Sequence, residues 1–353
     1  MKKVSIIIPL YCAEKYIADT IQSALAQTYQ NFEIIIVDNG STDRSVEVCQ
    51  QYSDPRIQII RQKNRGAAGS RNTGIRHAQG EYLAFLDADD LWLPEKLEKQ
   101  VEHLNNSPAV GISYCWSAFI DEDGNRLGIH QKPKLKGITQ RHVLCRNPIS
   151  NGSTPLFRRE VFEGIKFQDN LYGTVEDFYF DERLYRSEDI ECWLRMAIQT
   201  DWQMEGLPEM LTLYRVNSTG ISANLYKQLE SHKQILDKIR SYAPELLARW
   251  ENLSMAYQFR YLARRAVTLK EGAAAIDMFN RSVVTDWRIL LEEPRKTLIT
   301  GGAAYLLWLI PQPVYHHIEN LALKVTGKTQ RRRLLKEQSQ PFTQVTSPEG
   351  TPP

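Results

Sequence analysis

The stretch Tyr82-Leu-Ala-Phe-Leu-Asp-Ala-Asp-Asp90 joins an apolar run, typical of a buried strand, to an acidic cluster directly after it. Similar β-branched runs occur at residues 4–8, 32–37, 57–60 and 110–114. Apolar residues at helical spacing lie between them, at residues 16–26, 70–78 and 94–104. Continuously apolar strands that alternate with helices predict an α/β fold, with a mostly parallel sheet covered by helices on both faces.

Polar residues follow three of these predicted strands. Pro9-Leu-Tyr11 ends the first, Asp38 ends the second, and the acidic cluster follows the run at 82–86. Ligands of parallel sheets bind at the carboxyl ends of the strands, so we expect these residues to line one crevice.

The acidic cluster Asp87-Ala-Asp-Asp90 is the candidate metal site. A glycine-rich dinucleotide loop is absent after the first strand, and no P-loop follows Gly69 and Gly74. A divalent cation, which prefers carboxylate oxygens as ligands, would therefore have to neutralise the negative charge of a bound diphosphate. Asp87 and Asp89 need not both touch the metal, so one of them could bind it while the other contacts ribose. An acidic loop that only caps the next helix is the alternative.

Three further residues allow two interpretations each. Asp38 could accept hydrogen bonds from a nucleobase or serve as a turn residue before Asn39-Gly40. Arg71 could contact a diphosphate or form a salt bridge. Tyr11 could stack on a base or pack on the sheet.

Two Glu-Asp pairs are candidates for the catalytic carboxylate. Glu188-Asp189 begins a predicted helix, where acidic residues are common caps, and Glu176-Asp177 lies nearby in the chain. The residues alone do not choose between the pairs.

In combination these segments resemble the family 2 inverting glycosyltransferases, which have the Rossmann-like GT-A fold. The resemblance covers roughly residues 3–223. It is carried by six segments in order, which are Val4-Ser-Ile-Ile-Ile-Pro-Leu-Tyr11, Ser23-Ala-Leu-Ala-Gln-Thr28, Ile36-Val-Asp-Asn-Gly-Ser-Thr-Asp43, Gly66-Ala-Ala-Gly-Ser-Arg-Asn-Thr-Gly74, the opening stretch, and Ser187-Glu-Asp-Ile-Glu-Cys-Trp-Leu-Arg195.

The resemblance implies a role for each matching residue. It implies Asp189 as the general base, Asp89 as the main ligand of Mn²⁺ or Mg²⁺, and Phe180-Asp-Glu-Arg-Leu as the approach to the base. The implied donor nucleotide site comprises Pro9, Tyr11, Asp38, Arg71 and Asp87. The residues that could support the site are Glu188, Asp90, Trp193 and Asn217. Asn217 stands where the family often has a metal-assisting His.

The implied activity is that of a hexosyltransferase (EC 2.4) in cell-surface polysaccharide synthesis. The donor would be a nucleoside-diphosphate sugar, with a UDP-sugar expected, and the acceptor a glycan or lipid-linked glycan. The alternative is a catalytically silent nucleotide-sugar-binding or scaffold protein. Nucleic acid is not an expected partner, because residues 1–225 carry 25 Lys and Arg against 30 Asp and Glu.

The rest of the chain predicts two further parts. Residues 226–337, after a catalytic domain at 1–225, read as a helical region with 19 Lys and Arg against 11 Asp and Glu, and 338–353 as a disordered tail. The apolar stretch 298–310 is shorter than the ~20 residues of a membrane span. Trp308 and Arg331-Arg-Arg333 favour association with an anionic inner-membrane surface, and packing of the stretch on the catalytic domain is the alternative.

The expected compartment is the cytoplasm, with a possible peripheral position on the cytoplasmic face of the membrane. Five widely spaced cysteines without a C-x-x-C pair predict neither disulfides nor a zinc site. The apolar run after Lys2-Lys3 is broken by Pro9 and lacks a cleavage site, so we do not expect a signal peptide.

Overall fold

The computed structural model describes residues 1–184, 186–216 and 225–311. Its strands are β1 (Val4–Leu10), β2 (Phe32–Asp38), β3 (Ile57–Arg61), β4 (Tyr82–Phe85), β5 (Leu91–Trp92), β6 (Val110–Ile120), β7 (Arg126–Gln131), β8 (Leu156–Arg158), β9 (Phe167–Asp169), β10 (Glu176–Phe178) and β11 (Gln203–Arg215). Its helices are α1 (Ile17–Leu25), α2 (Ser45–Gln50), α3 (Gly66–His77), α4 (Lys96–Asn106), α5 (Gln140–Cys145), α6 (Arg159–Glu163), α7 (Glu188–Gln199), α8 (Leu225–Tyr242), α9 (Pro244–Thr268), α10 (Gly272–Thr285), α11 (Arg288–Glu292) and α12 (Pro294–Leu309).

Nine strands within the described residues form one sheet, in the order β3-β2-β1-β4-β8-β6-β11-β5 with β7 beside β6. The neighbours β3, β2, β1 and β4 are parallel, as are β6 and β11. Because β8 runs antiparallel to both β4 and β6, those two strands point the same way. The predicted α/β fold with a mostly parallel sheet is therefore confirmed.

The core lies on both faces of the sheet, as the continuous apolar strands predict. Ile7 packs into one cluster with Phe85, while Ile6 belongs to a second cluster with Ile21 of α1. Helix α3 lies so close to β1 that a Cβ on Gly74 would stand 2.3 Å from Ile7 Cγ2. Only glycine permits this approach, which brings α3 directly over the central strand.

Two predicted helix starts are wrong. Helix α3 begins at Gly66 rather than at residue 70. Ser41-Thr-Asp43 has the residues of a helix N-terminus and predicts a helix start at Ser41, but helix α2 begins at Ser45. The Ser41 hydroxyl instead accepts a hydrogen bond from the Cys12 amide (3.1 Å), so it joins two loops rather than capping a helix. Asp121-Glu-Asp-Gly124 predicts a hairpin turn by its composition, and this turn is confirmed and connects β6 to β7.

The region after residue 225 is helical wherever the structure describes it, as predicted. In α8, Ile235, Leu236 and Ile239 are buried in the same cluster as Phe85. The domain boundary at 225 remains a prediction. Residues 330–333 and the predicted tail at 338–353 lie outside the described residues.

Helix α12 is mostly apolar after its first turn, and within the described residues one side of it is covered. Gly301, Ala304 and Leu307 are buried on that side, against α9 and α10. The exposed apolar side chains of α12, which we call the α12 outer face, are Leu298, Ile299, Leu306, Trp308 and Leu309. No helix in the described ranges is long and apolar enough to cross a membrane.

Candidate active site

The carboxyl ends of β1, β2 and β4 meet at one edge of the sheet, as the topology predicts. Leu10 is in register with Asp38, so Pro9, Tyr11 and Asp38 lie close together. Tyr11 is 53% exposed, with its ring available to a ligand, whereas Asp38 is only 5% exposed. The Asp38 Oδ1 atom accepts a hydrogen bond from the Ser41 amide (2.9 Å), which orients the carboxylate.

Residues 87–90, called the acidic loop, follow β4, and their three carboxylates have different surroundings. Asp90 is fully buried and accepts hydrogen bonds from Ser153 Oγ (2.6 Å) and the Arg215 amide (2.9 Å). Burial, followed by the charges of Asp89 and Asp87, raises the pKa of Asp90 well above its usual range. Asp90 therefore supports the loop from beneath, whereas Asp87 and Asp89 are partly exposed.

Arg71 of α3 connects two parts of the site. Its Nη2 donates to Asp87 Oδ1 (2.9 Å), and its Nη1 donates to Glu188 Oε1 (2.6 Å). Burial opposes the charge of this guanidinium, but Asp87, Glu188 and Asp189 raise its pKa above the ordinary value. Arg71 is 6% exposed, and its Nε has no hydrogen-bond partner among the residues that the structure describes.

Glu188 and Asp189 begin α7, after Ser187 in a left-handed backbone conformation (φ 58°). Burial raises the pKa of Asp189 to about 6, and the charge of Glu188 adds to this effect while Arg71 opposes it. A helix N-terminus favours the ionised carboxylate, but here burial and the neighbouring charge are stronger. A carboxylate with such a pKa suits general-base chemistry near neutral pH.

The rival pair has a different environment. Glu176 forms an ion pair with Arg65 (2.8 Å), and hydrogen bonding to Arg65 lowers the pKa of Glu176. Asp177 accepts a hydrogen bond from Gln168 and lies 3.7 Å from Lys166. Asp177 therefore links β10 to Gln168 of β9, and Glu176 links β10 to Arg65.

Asn72, the neighbour of Arg71, holds the segment that leads to α7. Its fully buried amide donates to the Phe180 carbonyl and Glu182 Oε1 (both 2.8 Å). Its oxygen accepts from the amides of Tyr179 (3.1 Å) and Phe180 (2.8 Å). Both the amide nitrogen and the oxygen of Asn72 therefore form hydrogen bonds with residues that lie more than 100 positions later in the sequence.

Two features of the site were not predicted from the sequence. Arg215 is 3% exposed, and its Nε donates to the Asp89 carbonyl (2.8 Å). Residues 150–154, called the 150–154 turn, lie beside the acidic loop, where Ser153 Oγ also accepts from the Asp87 amide (3.0 Å). Asn-Gly-Ser signals a turn, but nothing local in the sequence indicates that this turn meets Asp87.

Of the supporting residues, Trp193 is 1% exposed and stacks on Phe157 with ring centroids 5.0 Å apart. It packs α7 onto the sheet beneath the site. Asn217 lies outside the described residues.

The acidic loop suits a metal that arrives with a nucleotide. Within the described ranges, no group of three or more His, Cys, Asp or Glu side chains converges on a metal position. One or two carboxylates with diphosphate oxygens and water is the typical Mg²⁺ arrangement, and Asp87 and Asp89 can supply the protein's share.

Comparisons with known proteins agree on one family. The model for glycosyl transferase family 2 matches residues 5–166. The putative teichuronic acid biosynthesis glycosyltransferase TuaG of Bacillus subtilis is 34% identical over 229 residues, which cover 64% of this chain and 83% of that protein. WfaP of Escherichia coli, described as a UDP-Glc:alpha-D-GlcNAc-diphosphoundecaprenol beta-1,3-glucosyltransferase, is 32% identical over 240 residues, with coverages of 68% and 87%.

Two solved structures share the fold at lower identity. Staphylococcal (S. aureus) TarS superposes with a TM-score of 0.55 at 18% identity, over 86% of this chain and 55% of that chain. The mannosyltransferase PcManGT from Pyrobaculum calidifontis, in complex with GDP-Man and Mn²⁺, gives a TM-score of 0.54 at 20% identity, with coverages of 87% and 85%.

Proposed function

Because this chain belongs to glycosyltransferase family 2, with relatives in cell-surface polysaccharide synthesis, we propose that it transfers a sugar with inversion from a nucleoside-diphosphate sugar to an acceptor hydroxyl. The observation that carries the proposal is the bridge through Arg71. The buried guanidinium of Arg71 binds Asp87, which lies at the carboxyl ends of the strands, and also binds Glu188, the neighbour of the candidate base Asp189. A donor with its diphosphate near Asp87 and an acceptor with its hydroxyl near Asp189 would therefore be close together in this crevice.

In the proposed reaction, Asp189 takes the proton of the acceptor hydroxyl as its oxygen attacks the anomeric carbon. The bond from that carbon to the diphosphate oxygen breaks, and one displacement inverts the configuration. Asp38 and Tyr11 would bind the nucleobase, with Pro9 shaping the strand end. Asp89 would hold Mn²⁺ or Mg²⁺, which when bound offsets the negative charge on the leaving diphosphate, and Asp87 would contact the ribose or the diphosphate of the donor.

The expected donor is a UDP-sugar, and the expected acceptor is a glycan or a lipid-linked glycan. The name of WfaP specifies UDP-Glc and a diphosphoundecaprenol acceptor, which supports this choice. The proposed reaction is a hexosyl transfer in the synthesis of a cell-envelope polysaccharide.

A lipid-linked acceptor calls for contact with a membrane, and we propose that the α12 outer face makes it on the cytoplasmic side. Leu298, Trp308 and Leu309 are 65%, 58% and 64% exposed. Residues 294–311 contain Arg295 and Lys296 but no acidic residue. Aliphatic and tryptophan side chains beside basic residues are typical of an interfacial helix that lies on an anionic bilayer.

Flotation with vesicles of anionic phospholipid tests this contact in the full chain. Leu298→Glu with Leu309→Glu should abolish flotation, because two charges would have to enter the interface. Ile129→Glu, at an exposed apolar residue of β7, is the matched control and should still float. Equal flotation of both variants would contradict membrane docking by α12.

A thermal-shift screen of nucleotide sugars with Mn²⁺ or Mg²⁺ tests the main proposal. Binding should raise the melting temperature, by mass action on the folded state. The best donor should then release free nucleoside diphosphate slowly when no acceptor is present, because water can replace the hydroxyl. Binding without any release or transfer would favour the alternative, a silent nucleotide-sugar-binding or scaffold protein.

A further inference from the structure

A lysine of the helical C-terminal region contacts both ends of the stretch that carries the proposed base. Lys238 Nζ of α8 donates to Asp181 Oδ2 (2.7 Å) and lies 2.9 Å from Glu191 Oε1. Asp181 precedes α7, Glu191 lies in the first turn of α7, and Asp189 stands between them in the sequence. One ammonium group therefore ties together the two ends of residues 181–191, which we call the base segment.

These ion pairs lie in mostly buried surroundings. Asp181 is 7% exposed and Glu191 is fully buried, whereas the side chain of Lys238 is 24% exposed. Burial alone would raise the pKa of Asp181, but the hydrogen bond and the charge of Lys238 hold that pKa below its ordinary value. The ammonium also lies 5.2 Å from the centre of the Phe167 ring, a cation–π contact. Charged contacts in such surroundings are stronger than those at the surface.

Each of the two carboxylates also has a partner close to it in the sequence. Glu191 accepts hydrogen bonds from Arg195 Nε and Nη2 (both 3.0 Å), within α7. Asp181 Oδ1 accepts a hydrogen bond from the Arg183 amide (3.0 Å), before α7. These contacts stabilise the two ends of the base segment separately, whereas Lys238 joins one end to the other. Loss of Lys238 would therefore release the connection and still leave each carboxylate with a partner.

The backbone of the base segment needs support from its surroundings. Ser187, directly before α7, has a left-handed conformation (φ 58°), which is unfavourable for a residue with a side chain. Such a conformation persists only where neighbouring contacts hold it in place. A stretch of chain that is fixed at both ends has fewer alternative conformations, so the tie through Lys238 confines the residues between its ends.

We propose that Lys238 is a positioning residue for Asp189, because it fixes the two ends of the base segment and thereby the place of the carboxylate that takes the acceptor proton. Misplacement of reacting groups by about 1 Å costs on the order of 10²-fold in rate. This inference rests on the proposed function. It makes α8 a part of the catalytic unit, although α8 follows the residues that the family model matches.

Lys238→Met in the full chain tests the inference, since it removes the charge and keeps an unbranched side chain. The probes are UDP-glucose, UDP-N-acetylglucosamine and GDP-mannose with Mn²⁺, of which the one that wild type hydrolyses is used. Release of its nucleoside diphosphate measures turnover, and calorimetry with the free diphosphate measures binding on the donor side. Turnover should fall about 10–100-fold while diphosphate affinity stays within about twofold. Lys238→Arg keeps a cation in reach of both carboxylates and should restore most of the turnover.

Two further variants of α8 are the controls. Lys233→Met makes the same change at an exposed lysine of the same helix, and it should alter neither turnover nor affinity. Leu229→Ala removes buried packing in a different cluster, so it should lower the melting temperature and keep the turnover. Asp189→Asn, measured in parallel, gives the part of the turnover that depends on the base.

Undiminished turnover in Lys238→Met would overturn the inference, and so would an equal loss of diphosphate affinity. It would also be overturned if Lys238→Arg were as slow as Lys238→Met, or if Leu229→Ala lost as much turnover, because weaker docking of α8 would then explain the effect. A Lys238→Met chain without a cooperative thermal transition would mean that the whole fold requires the lysine, which overturns it too. A wild-type chain that hydrolyses none of the donors, or whose turnover does not depend on Asp189, contradicts the proposed function itself.

Discussion

On the proposed donor side of the crevice, Tyr11, Asp38 and Asp87 each lie at the carboxyl end of a parallel strand, whereas on the proposed base side Asp189 begins a helix after an irregular segment. Hydrogen bonds between parallel strands position the residues of the proposed donor side, with Leu10 in register with Asp38. Side-chain hydrogen bonds position the proposed base side, where Asn72 binds the Phe180 carbonyl and Arg71 binds Glu188. The position of the proposed base therefore depends on long-range side-chain contacts that the proposed donor residues do not need. Substitutions can therefore separate the two sides.

The largest expected effect separates chemistry from donor binding. Asp189→Asn keeps the shape of the side chain but cannot accept a proton, so turnover should fall by about 10²–10⁴-fold. Donor affinity, measured by calorimetry, should stay within twofold. Asp177→Asn is the control and should keep its activity, because Asp177 lies in β10. Undiminished turnover in Asp189→Asn would move the base to Glu188 or Asp177.

A donor-side substitution should have the reverse pattern. Asp89→Ala should weaken Mn²⁺-supported binding of the nucleotide sugar on the order of 10–100-fold, the loss typical when metal-site partners are removed. Binding without metal should change little. Calorimetry with Mn²⁺ and with chelator makes the comparison, and identical affinities in wild type and variant with Mn²⁺ present would show that Asp89 is not the ligand.

Asn72 connects the two sides of the crevice through its hydrogen bonds to Phe180 and Glu182. Asn72→Ala would leave the buried amides of Tyr179 and Phe180 without acceptors, at a cost of about 1–3 kcal/mol in the free energy of unfolding. Denaturant titration should show this loss, and the residual activity should fall more than UDP binding does. Asn106→Ala, on the exposed end of α4, is the control. A loss of UDP binding that matches the loss of activity would mean that Asn72 serves both sides alike.

The smallest expected effect is on pH dependence. Asp189 must be ionised to act as a base, and its pKa of about 6 predicts that kcat/KM rises with pH up to about that value. Glu188→Gln removes a negative charge that raises this pKa, so the acid limb of the profile should move to lower pH. Asp38→Asn, on the donor side, should leave the limb in place. Coincident profiles for wild type and Glu188→Gln would remove Asp189 as the titrating group.

The two sides also differ in how far they could be predicted from the sequence. The strand ends were predictable because a short apolar run followed by polar residues is a local pattern, and parallel topology brings such ends together. The choice of Glu188-Asp189 over Glu176-Asp177 came only from family resemblance, and it remains a prediction. The 150–154 turn was not predictable, because its contacts with Asp87 and Asp90 span more than 60 residues.

Four features were predictable from the amino-acid sequence alone: the α/β class, the order of strands and helices up to β6 apart from the short β5, the helical character after residue 225, and the edge at which Asp38 and the acidic loop meet. These follow from the periodicity of apolar residues and from the rule that parallel strands end together. Packing between distant segments accounts for the burial of Asp90 beside the partly exposed Asp87 and Asp89, for the ion pairs of Arg71 with Asp87 and Glu188, and for the contact of Ser153 with the acidic loop. Burial and contact depend on packing between distant segments, and no local pattern records them.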